Sequence, residues 1–246
     1  MFIEKIFKIL YKILNLFKRI VDIFFSKNLI GRKMLGKVYH IFHFVINVGR
    51  EKLYQKITEY INGDYNNVER VPENRHLTFS EMLSGFFSNP HHIIDNIYLG
   101  SAFNACDYYK LKELNIKTII NMTPELSNYY SEEFDYLKIK VRDKNNCSLA
   151  EHYEPIYEKL NNNISNGNTF IHCYMGSSRS ASGLIYYLIK KHGYSFETAY
   201  EYINSIRSII LINKSFAEEL KQLSINELKP LSNNEIKEEL KNVITV

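Results

Sequence analysis

The spacing of apolar and polar positions divides this chain before any chemistry is considered. Over residues 1–27, Glu4, Lys8, Lys12, Asn15, Arg19, Asp22 and Ser26 recur at steps of three or four, while Phe2, Ile6, Leu10, Ile13, Phe17, Ile20 and Phe24 belong to a wide opposite face. That period predicts an amphipathic helix. Gly31 and Gly36 interrupt it, and a second helical stretch follows from Val38 to Val48, continuing through Leu53, Ile57 and Ile61. Gly63 to Asn67 reads as a turn. From Val68 to Pro90 the chain is polar and broken by Pro72 and Pro90, which predicts a linker with one short helix near Phe79 to Phe87.

At Asn89 the pattern changes. Ile93-Ile94 and Ile97-Tyr98-Leu99 are short apolar runs around an Asp95-Asn96 turn. Ile116 to Met122, rich in β-branched residues, predicts a buried strand, and the alternation of Tyr136 to Val141 predicts another. Glu151 to Ile164 is an amphipathic helix with Ile156, Leu160 and Ile164 on one side, stopped by Gly167. A short apolar run from Thr169 to Ile171 then leads, after a loop, to a helix over Ala181 to Ile189. Gly193 is placed to end that helix, and Ser195 to cap the next one, Phe196 to Ile206.

Composition adds limits. The 246 residues suffice for one ordinary domain plus an extension, and 45% hydrophobic with 24% charged residues is globular usage. Three cysteines make no disulfide framework, so a reducing, intracellular and cytoplasmic setting is expected. The net charge of +4 is unevenly placed: residues 1–60 hold 12 Lys+Arg against 4 Asp+Glu, and the rest hold 19 against 23. A basic first quarter suggests a separate task at an anionic surface. No window in residues 1–27 offers 18 uninterrupted apolar residues, so neither a spanning helix nor a cleaved signal peptide is expected. Two uses remain for that segment: lying peripherally on an anionic membrane, or docking on the rest of the chain. On the membrane reading, a chain begun near Asn89 is expected to keep full activity on soluble peptides. His40 and His43 have no further ligands nearby, and no metal site is expected.

The candidate chemistry lies in Ile171-His172-Cys173-Tyr174-Met175-Gly176-Ser177-Ser178-Arg179-Ser180. Strand, tight loop and helix follow one another there. A loop opening a helix turns successive backbone N–H groups inward, and the helix dipole adds partial positive charge, so the loop makes a cup for a dianion. The same dipoles favour the thiolate form of a cysteine at the lip. Arg179 can hold two phosphate oxygens with its planar fork, and Gly176 permits close approach. The bland alternative is a buried structural cysteine beside a surface arginine.

These residues resemble the cysteine-dependent protein tyrosine phosphatase superfamily, whose loop reads His-Cys, five residues, Arg, then Ser or Thr. The continuation Arg179-Ser180-Ala181-Ser182 is most similar to the dual-specificity branch. The resemblance runs from about Asn89 to Leu223. It implies an α/β fold with a central twisted sheet flanked by helices and the loop at the C-terminal ends of the strands, to which the N-terminal helical region would be an extension. The organisation expected is 1–62 basic helical region, 63–88 linker, 89–225 catalytic domain and 226–246 charged tail. By the same resemblance Ile97 to Ser101 leads into a first helix over Ala102 to Leu114, ending at Asn115. The family's general acid is an Asp on a loop about thirty residues before the cysteine, the place of Asp143; otherwise Asp143 caps the helix near Ala150. Glu133 and Asp135 are weaker candidates. The segment Arg207 to Phe216 lacks both family prolines, with Ser208 and Ile212 in their place, and a looser loop is expected there.

The resemblance implies a two-step hydrolysis. Cys173 attacks phosphorus and Asp143 protonates the leaving oxygen; Asp143 then activates water. Arg179 and the loop from His172 through Tyr174, Met175, Gly176, Ser177 and Ser178 bind the phosphoryl group, Ser180 donates to the sulfur, and His172 fixes the loop. No metal or organic cofactor is implied, and no nucleic-acid partner. The five variable residues contain no Lys or Arg, unlike lipid phosphatases of the superfamily, which favours phosphoprotein substrates: phosphotyrosine, then phosphoserine/threonine. A membrane-associated phosphoinositide or other phospholipid phosphatase is the runner-up, and a phospho-binding or membrane adaptor module the non-enzymatic alternative.

Overall fold

In the computed structural model, residues 68–73, 75–162 and 167–227 are described. The expected helices within residues 1–62, His40 and His43, the turn after Ile61, Ile164 and most of the charged tail lie outside them. The elements, in chain order, are β1 (Arg70–Val71), α1 (Phe79–Phe87), β2 (His91–Ile94), β3 (Ile97–Gly100), α2 (Ala102–Ala105), α3 (Tyr108–Glu113), β4 (Ile116–Asn121), β5 (Asp135–Lys138), α4 (Ala150–Asn162), β6 (Asn168–His172), α5 (Arg179–His192), α6 (Phe196–Ile206), β7 (Ile212–Asn213) and α7 (Lys214–Glu227).

The main sheet has the order β2-β3-β6-β4-β5. β2 and β3 form an antiparallel hairpin, turned at Asp95 with φ 49°. The pairs β3·β6, β6·β4 and β4·β5 are parallel. β6 therefore lies at the centre, and its residues alternate between two cores as pleating requires. Phe170 packs on one side with Ala105, Leu111, Ile116, Ile119 and Phe134. Ile171 packs on the other with Ile120, Met122, Leu184, Ile185 and Leu188. Helix α5 is wrapped by α4, α6 and α7 and is buried from Arg179 to Ile189. Each of its fully buried Leu or Ile side chains contributes roughly 1.5–3 kcal/mol. It ends as expected on Gly193, whose φ of 67° is the left-handed cap that glycine accepts without strain. Ser195 caps α6, its Oγ accepting from Thr198 N–H at 3.1 Å.

Three expectations are corrected. The single helix over 102–114 is two, because Asp107 starts a new one by accepting from Lys110 N–H at 2.9 Å. β5 stops at Lys138 rather than Val141, although Ile139 N–H still reaches Asn121 O at 2.9 Å. The segment after Arg207 is not loosened: Ile209 to Asn213 are buried, and Ile212 pairs with Val71 in a second, two-stranded sheet of β1 and β7. An isoleucine offers both a backbone N–H and apolar burial where a proline offers no donor. Within residues 63–88, β1 pairs with β7 and α1 packs on α2. α1 opens with a capping box, Thr78 Oγ1 accepting from Glu81 N–H while the Glu81 carboxylate accepts from Thr78 N–H.

Candidate active site

The loop between β6 and α5 takes its shape from what holds its carbonyls. Tyr174 O accepts from Ala102 N–H at 2.9 Å, and Ser177 O from Leu211 N–H at 3.1 Å. Between them, Met175 O accepts from Arg207 Nη2 at 2.8 Å and Gly176 O from Arg207 Nε at 2.9 Å. Four consecutive carbonyls are thus tied from outside. In a planar trans peptide the next N–H points the opposite way, so the amides of Met175, Gly176, Ser177 and Ser178 turn inward. The result is a cup of donors at the N-terminus of α5, a helix of 14 residues whose N-cap, Ser178, makes no side-chain cap. Gly176 has φ 70°, and a Cβ there would lie 2.3 Å from Gly100 O, so no larger residue fits.

Cys173 is buried at the floor, its Sγ accepting from Gly176 N–H and from Ser180 Oγ, both at 3.2 Å. His172 is buried beside it and stacks on Phe170 at 5.4 Å between centroids. Its Nδ1 donates to Cys173 O at 3.1 Å. Burial drives the imidazole down to about 3, so it stays neutral and serves as a brace rather than a base.

Arg179 is buried and grips Glu125 with both Nη atoms, at 2.9 and 3.2 Å, while Nη1 also reaches Val141 O at 3.2 Å. Burial opposes its charge, but Cys173, Glu125 and Asp143 outweigh that and hold the guanidinium protonated. Its Nε is buried without a hydrogen-bond partner among the described residues. Arg207, 1% exposed, has no carboxylate partner among the described residues: it donates to Met175 O, Gly176 O, Gly85 O and Ser88 Oγ, and its Nη1 lies 3.1 Å from His91 Nδ1. Burial pulls it down to about 10, still charged near neutrality.

Asp143 faces the same loop. Its Oδ1 accepts from Ser178 Oγ at 3.1 Å and Asn213 Nδ2 at 3.3 Å, and its Oδ2 lies 3.4 Å from Arg70 Nη1. Burial pushes the carboxyl up, but Arg70 first, then Arg179 and the two hydrogen bonds, bring it below the usual carboxylate range. The Ala150 N–H at the start of α4 is taken by Ser148 Oγ rather than by Asp143.

A cysteine and an arginine in a cup of inward amides, with a carboxylate tied to the same loop, is a phosphate-handling arrangement, and the comparisons with known proteins agree. The family model for the dual specificity phosphatase catalytic domain matches residues 97–226, more than half of the chain. The chain belongs to the dual-specificity phosphatase family. It is 30% identical over 177 residues to human protein phosphatase Slingshot homolog 1, covering 72% of this chain and 16% of that protein. Protein phosphatase Slingshot of Drosophila melanogaster is also 30% identical, over 172 residues, with 68% and 16% covered. The chain thus spans about a sixth of the length of these relatives. Among solved structures, the human tyrosine phosphatase-like serine/threonine/tyrosine-interacting protein superposes with a TM-score of 0.54 at 21% identity, over 57% of this chain and 99% of that one. Human DUSP28 gives 0.53 at 22%, over 56% and 93%. These likenesses show the dual-specificity phosphatase fold.

Every residue singled out in the signature stretch lies in or under the cup, and Asp143 is brought to it from 30 residues upstream. Glu133 and Asp135 are instead spent in surface ion pairs with Lys112 and Lys159. Sequence reasoning missed Glu125, Arg207, Asn213 and Arg70. Arg207 and Asn213 lay within a stretch already quoted for its likeness to the family, so their part was open to view; Glu125 and Arg70 carried no local signal. Among the described residues no cluster of His, Cys, Asp and Glu suits a metal ion.

Proposed function

We propose that this dual-specificity phosphatase hydrolyses phosphotyrosine, and phosphoserine or phosphothreonine, in proteins through a cysteinyl-phosphate. The observation that carries the reading is Cys173 Sγ, 3.2 Å from both Gly176 N–H and Ser180 Oγ in a cup that Ser178 also links to Asp143. Sulfur attacks phosphorus as the ester P–O bond breaks, and the Asp143 proton passes to the departing oxygen. A phosphate dianion beside Asp143 raises its proton affinity, offsetting Arg70 and Arg179. Water then attacks phosphorus, giving its proton to Asp143, the S–P bond breaks, and Ser180 Oγ–H supports the leaving sulfur. Inward amides and Arg179, with Nε as its uncommitted donor, stabilise the equatorial oxygens as charge spreads over them.

The Slingshot relatives are protein phosphatases by name, which supports phosphoprotein over lipid as substrate. The decisive assay compares phosphotyrosine and phosphoserine peptides with phosphoinositide headgroups on the full chain. Turnover confined to the headgroups would reverse the assignment. For residues 1–27 the proposal drawn from sequence is a hold on anionic membrane surfaces. Among the described residues no helix is long and apolar enough to cross a membrane. Sedimentation with anionic vesicles, lost on deleting 1–27, is the result expected; a full chain that ignores vesicles would refute it.

A further inference from the structure

Arg70 lies ahead of the residues that the family model matches, on a strand of only two residues. Its side chain is nonetheless 8% exposed, with Nη1 3.4 Å from Asp143 Oδ2 and 3.3 Å from Leu211 O. The neighbouring backbone ties the same loop, Glu69 N–H donating to Asn145 Oδ1 at 2.9 Å, and is itself tied to α7, Glu69 O accepting from Lys214 N–H at 2.8 Å. From the other side Asn213 Nδ2 donates to Lys144 O at 2.8 Å, and Ser215 Oγ accepts from Asn146 N–H at 3.1 Å. Arg142, Lys144, Asn145 and Asn146 are exposed. The loop that carries Asp143 thus has little core of its own, and β1 together with β7 and the start of α7 sets its position.

Building on the proposed role of Asp143, we infer that Arg70 is a positioning residue for proton transfer, and that β1 is a strap completing the active site from ahead of the residues that the family model matches. A carboxyl with one oxygen tied to Ser178 and Asn213 and the other facing a buried guanidinium has one orientation over the cup. A misplacement of about 1 Å in such a group costs on the order of 10²-fold in rate. Among the described residues, the charged groups facing Asp143 are Arg70 from β1 and Arg179 from α5; its other partners, Ser178 and Asn213, are neutral. Removing Arg70 leaves burial less opposed, so Asp143 keeps its proton to higher pH.

The test uses the full chain with Arg70→Met and Arg70→Lys, and Asp143→Ala and Cys173→Ser as references. Substrates are a phosphotyrosine peptide and an activated fluorinated aryl phosphate, whose leaving group needs little protonation. For Arg70→Met the peptide kcat should fall about 10-fold or more, with the aryl phosphate little changed. The alkaline limb of its kcat/KM profile should move to higher pH, and Arg70→Lys should recover most of both effects. Equal losses on both substrates, or a pH profile that does not move, would overturn the inference and reduce β1 to a structural strand. Activity in Cys173→Ser, or an Asp143→Ala variant without leaving-group dependence, would instead overturn the reading of the site. If both references behave as expected while Arg70→Met follows the wild type, the role of Arg70 alone falls.

Discussion

The loop of Cys173 and the loop of Asp143 face each other and are built in opposite ways. From His172 to Ser180 every residue is buried except the half-buried Met175, and four successive carbonyls are fixed by Ala102, Arg207 and Leu211. Around Asp143 the residues at 142 and 144–146 are exposed, and side chains from β1, β7 and α7 do the holding. The difference teaches that the two loops are stabilised separately. Preorganised dipoles need a rigid setting. A group that must lose and regain a proton beside changing substrates tolerates a setting with less core.

Replacing the proposed nucleophile should have the largest effect. Cys173→Ser should bring turnover below detection with the fold intact, because a hydroxyl at its own pKa is a far weaker nucleophile. Hydrolysis by a contaminant-free preparation would count against the mechanism. Next, Asp143→Ala should lower turnover of poor leaving groups by about 10²–10⁴-fold and spare activated aryl phosphates. Equal losses would mean the two loops are not functionally separate. Gly176→Ala should then reduce kcat/KM by about 10²-fold for every substrate alike, since its Cβ would strike Gly100 O. Leaving-group selectivity in that variant would blur the contrast.

A smaller effect is expected from a chain beginning at Asn89, which sequence reading on the membrane view treats as fully active. It lacks Arg70, and also Gly85 and Ser88, which hold Arg207 in place. We expect a lower Tm and selective loss on poor leaving groups, relative to a chain beginning at Val68. Identical behaviour of the two would show that neither loop depends on the preceding segment. The smallest effect concerns His172, whose proton affinity is depressed to about 3 in the fold against 6.5 unfolded. Below pH 6.5 the unfolded chain takes up a proton that the folded chain refuses, so this stability is complete above that pH and drains away down to about pH 3. The whole effect is on the order of a few kcal/mol. Urea midpoints from pH 7 to 5 should therefore slope less steeply for His172→Gln than for the wild type, and parallel slopes would refute it.

Much of the site was legible because it is local. The strand, the loop glycine, the cysteine, the arginine and the helix start are consecutive, and each is fixed by backbone dipoles and spacing that the chain carries wherever it goes. The same holds for Gly193 and Ser195, whose caps depend only on neighbours within five residues. Helix 102–114 was misjudged because the resemblance to the family, which implied one helix there, does not show that Asp107 competes for Lys110 N–H. The buried path of Ile209 to Asn213 was missed because its pairing with β1 is set about 140 residues away along the chain.

What only the tertiary structure decided is the set of partners that make the local motif work. Glu125 meets Arg179 across 54 residues of chain, Arg70 meets Asp143 across 73, and Arg207 reaches back 31 to Gly176. None belongs to a periodic pattern, since a single buried charge recognises its partner by position in space and not by spacing in sequence. The sequence by itself determined the strand, loop and helix start that carry Cys173 and Arg179. Packing decided which way Arg179 points and that Asp143 is held by Arg70, Ser178 and Asn213.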